Sequence, residues 1–84
     1  MNKVVNLELK NNHHIKIKFN DGFEGEIDLK PFLGKDNAKE LLEEQNFKTL
    51  SIETGGGLAW ENGYDICPNY LRQLVEKEIE SKVG

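Results

Sequence analysis

With 84 residues, 37% of them hydrophobic and 31% charged, the chain is expected to fold as one small soluble domain, residues 1–84, around a thin core. Its formal net charge of -4 disfavours direct nucleic-acid binding, which needs a basic surface to replace phosphate counterions. No apolar run approaches the roughly 20 residues of a membrane span, and the single cysteine excludes an intrachain disulfide or a Cys-based metal framework.

Glu8 and Lys10 interrupt any apolar leader, so a cytoplasmic location with no membrane association is expected. The charge is unevenly placed. Residues 1–30 balance five lysines against five acids, whereas residues 31–84 carry six basic and ten acidic side chains.

From Val5 to Phe19 the pattern has period two. Val5, Leu7 and Leu9 alternate with polar residues, and so do Ile15, Ile17 and Phe19. A two-residue Asn11-Asn12 turn would mix wet and dry faces. A three-residue Asn11-Asn12-His13 turn instead pairs Leu9 with Ile15, Leu7 with Ile17 and Val5 with Phe19, and is the expected register. At Asn20-Asp21-Gly22 the same reasoning pairs Phe19 with Phe23, Ile17 with Gly25 and Ile15 with Ile27. Glu24, Glu26 and Asp28 then share the outer face with Lys16 and Lys18.

Lys30 to Gly34 reads as a short turn around Pro31. Asp36 or Asn37 is expected to cap a helix with an apolar stripe of Ala38, Leu41 and Leu42, ending near Gln45-Asn46. Leu50 and Ile52 mark a fourth strand. Gly55-Gly56-Gly57 invites a phosphate-loop reading, but no Gly-Lys-Ser/Thr follows and the loop leads into a strand, so a hairpin turn is preferred. A Glu61-Asn62-Gly63 loop pairs Trp60 with Tyr64 and Leu58 with Ile66. Pro68 suits the first position of a closing helix with Cys67 in its capping slot, and Leu71, Leu74, Val75 and Ile79 form its apolar face. The expected fold is α+β, in the order β-β-β-α-β-β-β-α. One antiparallel sheet of five or six short strands would carry both helices on its dry face.

Three blocks carry a family resemblance: Phe19 to Leu29 (FNDGFEGEIDL), Asn46 to Ile52 (NFKTLSI) and Trp60 to Leu71 (WENGYDICPNYL). In order and spacing they resemble the small bacterial family called domain of unknown function 2442. Many relatives carry Pro after the Trp, where this chain has Glu61. The resemblance implies a compact α+β domain without an established activity or catalytic residues. It also implies a gene beside that of another small protein, in an arrangement like a toxin-antitoxin pair. Some relatives append a helix-turn-helix, for which 84 residues leave no room, so DNA binding by that route is not expected.

Catalysis or metal binding needs several competent groups converging on one concave site. His13 and His14 are neighbours whose side chains should diverge, with His13 in a turn and His14 on the wet face. Glu24, Glu26 and Asp28 lie along an extended strand, which spreads them about 7 Å apart at alternate positions instead of folding them around an ion. Cys67 at a helix start has no partner base nearby in sequence. No catalytic, cofactor or metal residues are therefore assigned. The candidate partner-binding surface is Trp60, Asn62, Tyr64 and Tyr70, with core the default for Trp60 and Tyr64 or Tyr70 the better placed to reach the surface.

The resulting expectation is a non-enzymatic protein-interaction module, antitoxin-like or regulatory, with a small bacterial protein as partner. A homo-oligomer through a sheet edge is a further route to assembly. One alternative is a nucleic-acid-associated regulator with Lys3, Lys10, Lys16 and Lys18 as a patch. The other is a small enzyme using Cys67 or surface carboxylates.

Overall fold

The computed structural model describes residues 2–83, with side chains as far as residue 79. Six strands form two separate antiparallel meanders of three. β1 (Val4–Leu9), β2 (His14–Phe19) and β3 (Glu24–Asp28) make the first sheet. β4 (Ser51–Ile52), β5 (Leu58–Ala59) and β6 (Asp65–Ile66) make the second. This corrects the expected single sheet of five or six strands, while the α+β class and the element order stand.

The registers within the meanders are those that the loop lengths predict, although burial alternates cleanly only along β2, and Leu9 of β1, expected on the dry face, is exposed. Leu9 faces Ile15, Leu7 faces Ile17, Ile17 faces Gly25 and Ile15 faces Ile27. In the second sheet Leu58 faces Ile66, and the Trp60 N–H donates to the Tyr64 carbonyl at 2.9 Å. Gly22 and Gly63 close their loops at φ +91° and +94°, a conformation that costs glycine little.

One register differs from expectation. Val4, not Val5, pairs with Phe19, with an irregularity between Val4 and Asn6. Val4 is buried and Val5 is 56% exposed. The cause is tertiary: the Val4 N–H donates at 2.8 Å to the carbonyl of Gly56, in the turn of the second sheet. This bond draws Val4 inward, and the extra residue is taken up as a bulge.

The junction explains the glycine run. Gly56 has φ +89°, and a Cβ there would sit 2.7 Å from Lys3 Cβ. A Cβ on Gly57 would sit 2.5 Å from the Ile66 carbonyl oxygen. Both glycines are buried. The run is a turn, as expected; the bare Gly56 lets it approach Lys3, just ahead of β1, and the bare Gly57 lets Ile66 and Pro68 close against it.

The expected first helix is replaced by a 3-10 segment, Asp36–Leu42, and one α-helical turn, α1 (Glu44–Phe47). Ala38 and Leu41 are buried three residues apart, matching the three-residue 3-10 turn, whereas Leu42 is 37% exposed. The residue in the capping position is Lys35, without a side-chain cap bond, and Asp36 takes a positive φ of 51°. Glu43, with ψ 126°, breaks the helix between the two pieces.

The closing helix α2 (Pro68–Val83) begins where Pro68 predicts, with the Leu71 N–H bonded to the Cys67 carbonyl at 3.1 Å. Leu71, Leu74 and Val75 are buried, but Ile79 is 41% exposed, so the apolar face ends one turn earlier than expected. α2 lies on β3 because Gly25 leaves room: a Cβ there would be 2.5 Å from Val75 Cγ1. The helices therefore do not share one sheet. Asp36–Phe47 packs against Trp60 and the first hairpin turn.

Arg72 of α2 provides a clamp that sequence reasoning missed. Its guanidinium carbon stands 4.0 Å above the Phe23 ring and 5.2 Å from that of Phe19. Nη1 donates to both Asp21 carboxylate oxygens at 3.1 and 3.0 Å. The N–H of Phe23 bonds Asp21, and this bond, together with Arg72, holds the carboxyl below the usual aspartate value. Because the folded value is depressed, the Asp21 contribution is full above the unfolded pKa of about 3.9 and disappears as pH falls through the folded value. Urea midpoints of the wild type and of Asp21→Asn should therefore differ near neutrality and converge on acidification. A gap that stays constant with pH would assign the effect to something other than the charge.

Candidate interaction surface

An aromatic row runs through the molecule from the first hairpin turn to the surface. His13 meets Phe47 edge-on at 4.8 Å between centroids, Phe47 lies 5.9 Å from Trp60, and Trp60 lies 5.6 Å from Tyr64. Trp60 is only 4% exposed, and its Nε1–H donates to the Phe47 carbonyl at 3.1 Å. It is a core residue, so the expected surface of Trp60, Asn62, Tyr64 and Tyr70 loses its first member.

Asn62 is exposed but occupied. Its Nδ2 donates to the Asn37 carbonyl at 2.8 Å and to Glu40 Oε1 at 3.0 Å, while its Oδ1 accepts from the Tyr64 N–H at 3.0 Å. It ties the second hairpin to the 3-10 segment, beside a polar depression formed with Glu40 and Glu61.

Tyr64 and Tyr70 do converge. They line a cleft of about 350 Å³ with Phe32 and Ile66, and Lys35 at its rim. Phe32 and Tyr70 also belong to an adjoining cleft of about 250 Å³ against Ile27, Leu74 and Lys77. The two form a shallow groove between the Lys30–Phe32 turn and the first turns of α2. Phe32 is 38% and Tyr70 47% exposed. Phe32 was not a candidate from sequence. Its only signal there was the Pro31 turn, which holds the ring outward while the adjoining Leu33 is buried. Burial raises the Tyr64 phenol pKa above its usual value, with further contributions from Tyr70 and Asp65. The Tyr64 phenol is thus a neutral hydrogen-bonding group on an apolar ring at neutral pH.

The chemical candidates are dispersed. His13 Nε2 lies 3.1 Å from the Leu41 carbonyl, so that nitrogen carries the proton. His14 Nδ1 faces the carbonyls of Asn11 and Asn12 at 3.1 and 3.2 Å. Cys67 is an exposed free thiol at the start of α2. On the outer face of the first sheet, Lys16 stands between Glu8 and Glu26, Lys18 opposes Glu24, and His14 opposes Asp28. Among the described residues, no three His, Cys, Asp or Glu side chains gather in a metal-binding group, and no helix is long and apolar enough to cross a membrane.

Two meanders joined at a glycine turn, a helix clamped by arginine and an open aromatic groove define a small α+β domain. The chain belongs to the family described as protein of unknown function (DUF2442), whose family model matches residues 4–76. No curated protein and no solved structure gives a significant match.

Proposed function

We propose that this protein is a non-enzymatic protein-interaction module, the antitoxin-like or regulatory member of a small bacterial gene pair. The observation that carries the reading is the groove of Phe32, Tyr64 and Tyr70. Aromatic side chains presented together around an open cleft are what interaction hot spots are made from. The nucleic-acid alternative is weaker. Lys10 is bonded to Glu8 at 2.7 Å, and Lys16 and Lys18 are interleaved with acids, so the lysines present no uniform basic field.

Co-expression with the product of the neighbouring gene is the direct test. The two should co-purify, and Tyr70→Ala should weaken the complex on the order of 30-fold, the cost of losing an aromatic hot spot. The Tyr70→Ala chain should keep an unfolding midpoint close to that of the wild type, since Tyr70 is not part of the buried core. A monomer that never retains the neighbouring product, or a complex indifferent to Tyr70 and Phe32 substitutions, would reject this reading.

A further inference from the structure

The groove lies beside a strand edge that pairs with no further strand among the described residues, and that edge has a definite chemical character. β3 is the outermost strand of the first sheet. The Phe19 N–H donates to the Phe23 carbonyl and the Leu29 N–H to the His13 carbonyl. The backbone groups of odd-numbered β3 residues therefore face β2, and those of Glu24, Glu26 and Asp28 point away from the sheet. The side chains alternate in the same way. Ile27 is buried and Gly25 lies against α2, whereas Glu24 and Glu26 are exposed on the outer face.

The outer face carries a row of alternating sign. Glu8 on β1 faces Lys16 on β2, which faces Glu26 on β3, and in the next row Lys18 faces Glu24. A strand added beyond β3 continues this alternation only if it places a cation opposite each acid. On its other face, side chains opposite Gly25 and Ile27 would lie on the side of the adjoining cleft, which Ile27 lines together with Phe32, Tyr70 and Leu74. A second copy cannot satisfy these conditions through β3. Antiparallel pairing centred on Glu26 would oppose Glu24, Glu26 and Asp28 to carboxylates of the same set, a repulsive arrangement that protects an edge from self-association.

We infer that the β3 edge receives an extended segment of another protein in which basic residues alternate with apolar or aromatic ones. Backbone hydrogen bonds to Glu24, Glu26 and Asp28 would supply affinity. The cations would pair with the outer acids, and the apolar side chains would enter the Phe32–Tyr70–Leu74 cleft. The excess acidity of the chain, net -4, steers such a partner toward it. This rests on the interaction-module reading and specifies the chemistry of the partner.

The probe is a blocked peptide, Lys-Val-Lys-Phe-Lys-Val-Lys, with its Glu-for-Lys counterpart, titrated into the isotope-labelled chain. The basic peptide should bind at least about tenfold more tightly than the acidic one, and the E24K/E26K double variant should reverse that preference. Both substituted side chains are exposed, and the fold of the variant is checked by its amide spectrum. At saturation the amide hydrogens of Glu24, Glu26 and Asp28 should exchange on the order of tenfold more slowly. Peptides N-methylated along one edge should lose binding. The inference fails if the basic peptide binds without protecting those three amides, if neither peptide binds, or if the chain dimerises through β3. A co-purified partner that depends on Tyr70 but ignores E24K/E26K likewise overturns this inference while leaving the interaction module standing. A chain that binds the basic peptide at these amides but captures no neighbouring gene product rejects the gene-pair reading alone.

Discussion

Trp60→Ala should lower the unfolding free energy by about 3–5 kcal/mol, the usual cost of removing a large buried aromatic side chain. For a chain of this length, total stability is only about 4–13 kcal/mol, so the variant should lose a large fraction of it. The reason lies in its place within the aromatic row. Trp60 sits between Phe47 and Tyr64 at centroid distances of 5.9 and 5.6 Å, and its N–H satisfies the Phe47 carbonyl. Losing the ring uncouples the second sheet from α1 and leaves that carbonyl without its donor. Trp60→Phe keeps most of the apolar volume and removes the bond, so its cost should be smaller, about 1–3 kcal/mol. Urea denaturation of the two variants separates packing from hydrogen bonding. An alanine variant within about 1 kcal/mol of wild type would contradict a core role.

The second large effect is expected at the sheet junction. Gly56→Ala must accept a positive φ of 89° and a Cβ 2.8 Å from the Lys3 Cα, a backbone atom that cannot swing aside. Strain of about 1–3 kcal/mol for the conformation combines with about 1–3 kcal/mol for overpacking. Hydrogen exchange at the Val4 amide, bonded to the Gly56 carbonyl, should accelerate as the turn is displaced. Gly55→Ala is the control: nothing lies within 4 Å of its added Cβ, and its effect should stay within about 0.5 kcal/mol. Equal effects at the two positions would mean that the run is an ordinary turn with no junction role.

These effects mark where sequence reading stopped. The loops Asn20-Asp21-Gly22 and Glu61-Asn62-Gly63 were legible because loop length and alternating hydrophobicity leave one register that keeps apolar residues on one face. Pro68 was legible because its fixed φ and missing N–H suit the first position of a helix. The 36–47 segment was misread as one α-helix. Its spacing of three between Ala38 and Leu41 is compatible with both α and 3-10 geometry, and packing decided between them. Of the four candidate surface residues, Tyr64 and Tyr70 line one groove, an adjacency that the sequence did not show because a strand and a helix start separate them. Phe32 was missed because nothing local distinguishes an outward aromatic from a core one. Arg72 was missed because its partners, Asp21 and Phe23, are about fifty residues away.

What the sequence determined by itself is local: two three-stranded meanders with their loops, their registers at all but one end, the start of the closing helix and the family. These depend on periodicity and on residues with restricted backbone geometry, which act over a few positions. Tertiary structure alone decided that the meanders remain two sheets, that Val4 and not Val5 turns inward and that Gly56 forms a junction with Lys3. Each of these depends on which distant surface arrives at a given face. Alternation specifies a dry side for every strand, but only packing determines what covers it and which edge is left open.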